Sequence, residues 1–517
     1  MVSLRINNIE VEVPDVTTVL KAAQIAGVDI PTLCFYESVP NHASCMVCAV
    51  KNKQTGAFIP SCEAKVQEGM DIDASSQEVI EFRKDALELL LSDHVGDCEA
   101  PCRISCPAFM DIPQMNRLIA KGDFSNALKI VKEEIALPMV LGYVCSAPCE
   151  AACRRKPMGG AVSVCMLKRI VALEGMSEDK PIEKKNKKVA VIGSGPAGLS
   201  AAYHLLKEGY DCEVFEKQSH VGGTLLTVSE SQMPAQILTA EVEQLVKLGM
   251  VFHLNQEANP VLLIKDFDAV IVAVGENSIK TSLQIQPETY TTNTPGIFAG
   301  GSVIKPLKMA VKAVAQGKEA ARAAMIYLQG NLLTEKSFFN SKFGKLKEEE
   351  HTEYLKESVD ENRMEPARGF IAGFTHEEAI SEAKRCLRCD CRKSQTCRLR
   401  NLSAIYQADQ KKYNYGERKT IRKYFQHEIL VYEPEKCIKC GLCIEIAAKN
   451  NALTGMAYIG RGFEMSVQVP FNKSMQDALV NAAQECIAAC PTGALSDYKG
   501  EDNILPQISQ INTDNTK

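Results

Sequence analysis

The chain has 517 residues, a net charge of -5 and 21 cysteines. That length exceeds one hydrophobic core and predicts several domains. The acidic balance, without any basic block, argues against a nucleic-acid or anionic-membrane partner. No apolar run approaches the roughly 18 residues of a membrane span, and the opening MVSLRINNIEVEV lacks the order of a signal peptide, so a cytoplasmic protein is expected. In a reducing compartment so many cysteines read as metal ligands or catalytic thiols rather than disulfides. They fall into five groups, and only Cys212 stands clear of all of them.

Residues 1 to about 78 alternate apolar and polar positions (Ile6, Ile9, Val11, Val13), then show a helical stretch over Thr18 to Ala26. Cys34, Cys45, Cys48 and Cys62 follow. A β-rich ferredoxin module is expected, with these four thiolates cradling a [2Fe-2S] cluster, and a structural zinc site as the alternative. The spacing C-x10-C-x2-C-x13-C resembles the start of the large iron-sulfur subunit of complex I and of related hydrogenases.

In residues 79–180 come His94, Cys98, Cys102 and Cys106, the run CPAFMDIPQMNRLI, and then GYVCSAPCEAACRRKP with Cys145, Cys149 and Cys153. These segments resemble the N-terminal helical domain of the glutamate synthase small subunit and of dihydropyrimidine dehydrogenase, which implies two [4Fe-4S] clusters whose motifs exchange ligands. Carried over, the resemblance implies one cluster on His94, Cys98, Cys102 and Cys153, and another on Cys106, Cys145, Cys149 and Cys165. Two positions depart from the family pattern. His94 stands where a cysteine is usual, with a surface histidine as its alternative reading; Cys165 lies near the usual fourth ligand, with a buried helical thiol as its alternative.

Residues 181–330 open with VAVIGSGPAGLSAAYHL: an apolar strand, Gly193-x-Gly195-x-x-Gly198, and a helix. EVFEK then places Glu216 at the end of a second strand, 18 residues beyond Gly198. This context predicts a dinucleotide site in which the glycines admit a pyrophosphate to the helix N-terminus and Glu216 accepts from the adenosine ribose. Gly222, Gly223, the strand ending at Gly275, and Gly300, Gly301 and Ser302 of TPGIFAGGS resemble, in order, the FAD signatures of the same glutamate synthase family. The resemblance implies FAD rather than NAD. Only residues 276 to 295 separate DAVIVAVG from TPGIFAGGS, where the family inserts an NAD(P)H domain; a βαβ unit needs about 30 residues. The chain is therefore expected to lack its own pyridine-nucleotide site. Ser302 replaces the family's aspartate, which opens the alternative of a flavin-free scaffold.

Residues 331–425 read as a charged helical connecting arm, with KLKEEEHTEYLKE as a solvated face, ending in a cysteine-rich motif. Cys386, Cys389, Cys391 and Cys397 there lie within 12 residues and are expected to hold one cluster, or zinc. Residues 426–500 read as a ferredoxin-like domain with one [4Fe-4S] cluster on Cys437, Cys440, Cys443 and Cys490, Cys486 being spare; 501–517 is a tail. Nineteen cysteines with His94 supply twenty ligands, enough for one [2Fe-2S] and about four [4Fe-4S] clusters. The expected fold is multidomain α/β and α+β: a β-grasp ferredoxin, a helical 4Fe-4S domain, a Rossmann-type FAD domain without the NAD(P)H insert, and a C-terminal ferredoxin. The expected function is an oxidoreductase subunit that relays electrons between an NAD(P)H-oxidising partner, plausibly a complex I-like FMN subunit, and a ferredoxin or hydrogenase. The alternatives are a non-catalytic electron wire and a zinc-stapled assembly protein.

Overall fold

The computed structural model describes residues 1–175, 183–276, 283–332, 339–414, 416–452 and 454–498. The tail 501–517, and parts of the expected inter-domain linker, of the 276–295 stretch and of the connecting arm, lie outside the described residues. The chain forms two compact units, Met1–Glu99 with Ser337–Tyr354 and Asp390–Lys517, and Ala100–Lys336 with Leu355–Cys389.

The first unit begins with a mixed sheet of β1 (Val2–Ile6), β2 (Ile9–Val13), β3 (Ala49–Asn52), β4 (Phe58–Pro60) and β5 (Asp71–Asp73), in the order β2-β1-β5-β3-β4. The first two strands pair antiparallel and β1 pairs β5 parallel, the β-grasp arrangement expected. The alternating apolar side chains Leu4, Ile6, Val11 and Val13 face the core shared with helix Val19–Ile25, which Thr18 caps through its side chain. Helix Gln77–Asp93 buries Val79, Leu87 and Leu91 in this unit, so the expected cut after residue 78 falls inside an element. The C-terminal part pairs strand Leu430–Tyr432 with strand Leu495–Asp497, with helix Ala483–Ala489 against them and helix Leu442–Lys449 packed on that helix.

The second unit packs helices Ile112–Ala120, Phe124–Glu134, Pro138–Val144 and Val164–Glu174 beside a five-stranded parallel sheet. Its strands are β6 (Lys188–Ile192), β7 (Asp211–Glu216), β8 (Val251–Leu254), β9 (Ala269–Val272) and β10 (Ile297–Ala299), in the order β10-β9-β6-β7-β8. Strands buried on both faces explain the uninterrupted apolar run VAVI and the run AVIV. β9 and β10 are direct neighbours, and the described part of the stretch between them contains the short antiparallel bridge of Ile285 with Thr292.

The arm of residues 331–425 is not an independent connector. Its residues 355–389 belong to the second unit, where helix His376–Lys384 packs on the helical domain. Arg155 and Arg385, both fully buried, tie this return segment to the cysteine loops. Arg155 donates to the carbonyls of Val359 (2.7 Å) and Glu361 (3.1 Å), and Arg385 to those of Gly159 (2.7 Å) and Gly160 (2.8 Å). Nor is KLKEEEHTEYLKE wholly solvated. Glu350 and Tyr354 are buried, and Glu350 accepts from Arg418 and from the Ile421 N–H.

Candidate cofactor sites

Cys34, Cys45 and Cys48 lie in the loop between helix Val19–Ile25 and β3, and Cys62, just beyond β4, joins them. Cys34 accepts from Cys45 and Cys62, which lowers its pKa and raises theirs, while Cys48 is drawn down to about 7 by Cys62. In the C-terminal domain, Cys437, Cys440, Cys443 and Cys490 surround a small internal space also lined by Tyr432, Ile438, Leu442 and Pro491. Burial pushes Cys437 up to about 12 and Cys443 well above the thiol range; an anionic sulfur there requires a cation. Cys486 adjoins this set without joining it, its Sγ directed at the Cys443 carbonyl (3.8 Å).

In the second unit, Cys165 hydrogen-bonds to Cys145, which brings Cys145 down to about 6, and Cys149 is influenced by Cys106 and Cys145. The resemblance-based set Cys106, Cys145, Cys149 and Cys165 thus stands together. Two polar residues that the motif did not reveal support it. The Glu150 carboxylate accepts from the Cys165 N–H (2.9 Å) and pairs with Arg363 (2.9 Å), and Lys168 is buried one helical turn beyond Cys165.

The remaining eight candidates are grouped differently from the sequence reading. The thiols acting on Cys102, after burial, are first Cys386 and Cys389 and then Cys153 and Cys149; Cys153 is in turn influenced by Cys386. Cys98 lies instead with Cys391 and Cys397. Its carbonyl accepts from the Cys391 N–H (3.1 Å), and Cys397 is raised, after burial, by Cys391 and then Cys98. His94 and Cys391 share Lys436 as a neighbour. These neighbourhoods differ from the expected sets His94/Cys98/Cys102/Cys153 and Cys386/Cys389/Cys391/Cys397: Cys102 and Cys153 lie with Cys386 and Cys389 in the second unit, and Cys98 lies with Cys391 and Cys397, with His94 close by, in the first. The physical reason is the division between the units, which cuts both motifs, before Ala100 and after Cys389. His94 is not a surface residue. It is 9% exposed, burial holds its pKa down at about 4, and its Nδ1 lies 3.0 Å from the Lys436 carbonyl. A carbonyl can only accept, so the proton sits on Nδ1 and Nε2 keeps its lone pair, the form that binds metal.

Four of these motifs contain a non-glycine residue in the left-handed region. Met46, Ala147, Arg388 and Lys439 lie within the C-x2-C or C-x3-C turns that begin at Cys45, Cys145, Cys386 and Cys437, and all have φ between 49° and 57°. Non-glycine residues occupy this left-handed region at a cost of about 1–2 kcal/mol each. Among the described residues no three His, Cys, Asp or Glu side chains close on one point as the ligands of a single metal ion do.

Two of the three sets in the first unit adjoin the C-terminal set. The Cys34 loop packs with Cys440 and Leu442 in one core, the Leu33 carbonyl accepts from Arg398 (3.3 Å), and His42 meets Glu445 (2.8 Å). On its other side, the Cys397 thiol points at the Pro491 carbonyl (3.7 Å), next in sequence to Cys490.

The Rossmann sheet carries a cavity of about 740 Å³ lined by Gly193, Gly195, Glu216, Gly223, Gly275 and Ser302 among others, within the range of small-molecule cofactor sites. Gly193 has φ +104° and Gly198 packs so closely that a Cβ would lie 1.8 Å from the Gly193 carbonyl oxygen, whereas a Cβ at Gly195 would meet nothing within 4 Å. The first and third glycines are thus demanded by the fold, and the second leaves an open approach to the N-terminus of helix Pro196–Lys207. Glu216 accepts from the Ser194 N–H (2.9 Å) and hydroxyl (2.7 Å) and from the Gln218 N–H (2.9 Å). Against the upward push of burial, these donors hold it below the usual carboxylate range. Gly301 is placed by an N–H bond to Gln316 (3.1 Å) and packs on Ala197, while Gly222 donates to the Ser194 carbonyl (3.1 Å). Gln316 and Ser194 were not singled out in the sequence, since each acts through tertiary contact. Val144, next to Cys145, also lines the cavity.

Residues 1–77 match a 2Fe-2S iron-sulfur cluster binding domain, residues 92–180 dihydropyrimidine dehydrogenase domain II with its 4Fe-4S cluster, and residues 191–244 an NAD(P)-binding Rossmann-like domain. Among curated relatives, the NADPH-Fe(3+) oxidoreductase subunit beta of Geobacter sulfurreducens is 34% identical over 193 residues, 35% of this chain and 29% of that protein. The NADP(+)-dependent formate dehydrogenase subunit beta of Moorella thermoacetica is 33% identical over 230 residues, 38% of this chain and 32% of that one. The NAD-dependent dihydropyrimidine dehydrogenase subunit PreT of Escherichia coli K12 is 33% identical over 191 residues, 35% and 46% respectively. The chain spans less than half the length of each of these relatives. Segment by segment, the chain is thus similar to modules of iron-sulfur oxidoreductases: a 2Fe-2S domain, a dihydropyrimidine dehydrogenase-type 4Fe-4S domain and a Rossmann-like dinucleotide domain.

Proposed function

We propose that the chain is an iron-sulfur flavoprotein electron-transfer subunit of a cytoplasmic redox complex. It carries one [2Fe-2S] and four [4Fe-4S] clusters, with FAD in the 740 Å³ cavity. The observation that carries the reading is the resolution of twenty candidate ligands into five sets of four, three in the first unit and two in the second. Strained left-handed turns inside four of the motifs support it, because ligand bonds to a cluster offset a conformation that a free loop would relax.

The residues divide the work. Cys34, Cys45, Cys48 and Cys62 hold the [2Fe-2S] group; Cys437, Cys440, Cys443 and Cys490 hold a [4Fe-4S] group between it and the set of His94. Gly195 and the N-terminus of helix Pro196–Lys207 receive the FAD pyrophosphate, and Glu216 takes the ribose through the acceptor capacity that Ser194 and Gln218 leave. When bound, such groups supply one-electron exchange at the clusters and two-electron exchange at the flavin. With β9 and β10 adjacent and no room for a second βαβ unit, a partner oxidises NAD(P)H, and a ferredoxin or hydrogenase exchanges electrons at the other end.

The names of the relatives, which include NADPH- and NADP(+)-dependent oxidoreductase beta subunits, favour a place within such an assembly. The test is anaerobic purification with iron, sulfide and flavin analysis, followed by addition of NADH or NADPH to the isolated chain. The expected result is about 18 irons and one FAD per chain, with no bleaching by either nucleotide until a partner is supplied. Direct reduction by the nucleotide overturns the relay role. Zinc in place of iron overturns the cluster assignment, and full iron without flavin leaves a cluster-only wire.

A further inference from the structure

The two thiol sets of the second unit differ in the charge buried beside them. Lys168 is 3% exposed, on helix Val164–Glu174, three residues beyond Cys165 and therefore on the same face. Its ammonium interacts with Cys165, Cys145, Cys149 and Cys106, all four members of one set. The nearest carboxylate to the set, Glu150, is engaged by Arg363 at 2.9 Å and by the Cys165 N–H. The other set has a buried cation of its own, Arg155, which acts on Cys153 while its guanidinium donates to the Val359 and Glu361 carbonyls.

We infer that Lys168 is a potential-setting residue that raises the midpoint potential of the cluster held by Cys106, Cys145, Cys149 and Cys165. This rests on the cluster reading above. Adding an electron adds negative charge, and a buried cation acting on the set, weakly screened in a low-dielectric interior, stabilises that reduced form. The exchange it biases moves one electron, oxidising one iron group and reducing the other, with no bond broken and no proton transferred. Val144, which precedes Cys145, lines the dinucleotide cavity, so the tuned set is the one that adjoins it.

The experiment is an EPR-monitored redox titration of the full chain carrying Lys168→Met, Lys168→Gln or Lys168→Arg, each with iron and sulfide analysis. The neutral variants are expected to lower one [4Fe-4S] midpoint, changing its electron-sharing equilibrium with the other clusters at least tenfold, about 59 mV for one electron. Lys168→Arg is expected to retain the original value. Unchanged midpoints at full iron content, or a uniform shift of every signal, overturn the inference. Loss of about four irons in both neutral variants overturns it too, by assigning Lys168 to holding the cluster. Absence of iron from the unsubstituted chain refutes the cluster reading instead.

Discussion

Two buried titratable residues show how far burial alone decides chemistry. His94 is neutral because its ring is removed from water, and the Lys436 carbonyl fixes the tautomer that a metal requires. Glu241 is the opposite case, a fully buried carboxyl in the second unit on which Lys132 and Lys168 act. It accepts from the N–H groups of Met139 (3.2 Å) and Val140 (2.7 Å) at the start of helix Pro138–Val144, yet burial outweighs these bonds and pushes it up to about 8. The unfolded chain releases this proton near pH 4.5, its ordinary value, while the folded chain keeps it to about 8. Between those values the folded state binds more protons, so stability falls as pH rises, by at most about 1.4 kcal/mol per unit from this group. Unfolding of the wild type and of Glu241→Gln, measured from about pH 6 to about pH 8, should show the decline in the former and a flatter profile in the latter. Parallel profiles would mean that Glu241 titrates normally.

Elements whose determinants are local in sequence were readable at once. The run VAVIGSGPAG specified strand, turn and helix because its glycines mark the turn itself, Gly193 at φ +104° and Gly198 against the Gly193 carbonyl oxygen. The same contacts separate folding from binding. Gly198→Ala would force a Cβ to 1.8 Å from the Gly193 carbonyl oxygen, an overlap that should destabilise the Rossmann domain by about 1–3 kcal/mol or more. Gly195→Ala meets no neighbour, and its φ of -73° suits any residue. It should leave the melting transition of the flavin-free protein within about 1 kcal/mol of wild type, but weaken flavin retention, because the added methyl obstructs the approach of a pyrophosphate to the helix N-terminus. Comparing the two variants by thermal unfolding and by flavin content checks the division of roles. Equal flavin retention in Gly195→Ala and wild type would place the cofactor elsewhere.

At the scale of the molecule, proximity in sequence misled. Cys386, Cys389, Cys391 and Cys397 look like one local cluster motif, and His94 to Cys106 like a ladder of neighbours, but the ligand sets are decided by which unit each residue folds with. Cys98 meets Cys391 across 293 residues of chain through a backbone hydrogen bond that no spacing rule anticipates. The sets that were readable, Cys34/Cys45/Cys48/Cys62 and Cys437/Cys440/Cys443/Cys490, lie within single units, and so does Cys106/Cys145/Cys149/Cys165. The C-x-C step from Cys389 to Cys391 is where the regrouping can be tested without ambiguity. If all four thiols of that motif served one cluster, Cys389→Ser, Cys391→Ser and the double variant would each lose the same group, about four irons. With the regrouped sets proposed above, the two single variants should each lose about four irons but from different EPR signals, and the double variant about eight. Only in Cys391→Ser should the altered signal belong to the cluster carrying histidine nitrogen hyperfine coupling, since His94 shares that set. A double variant that loses no more iron than either single one would restore the local motif and dissolve the exchange between the units.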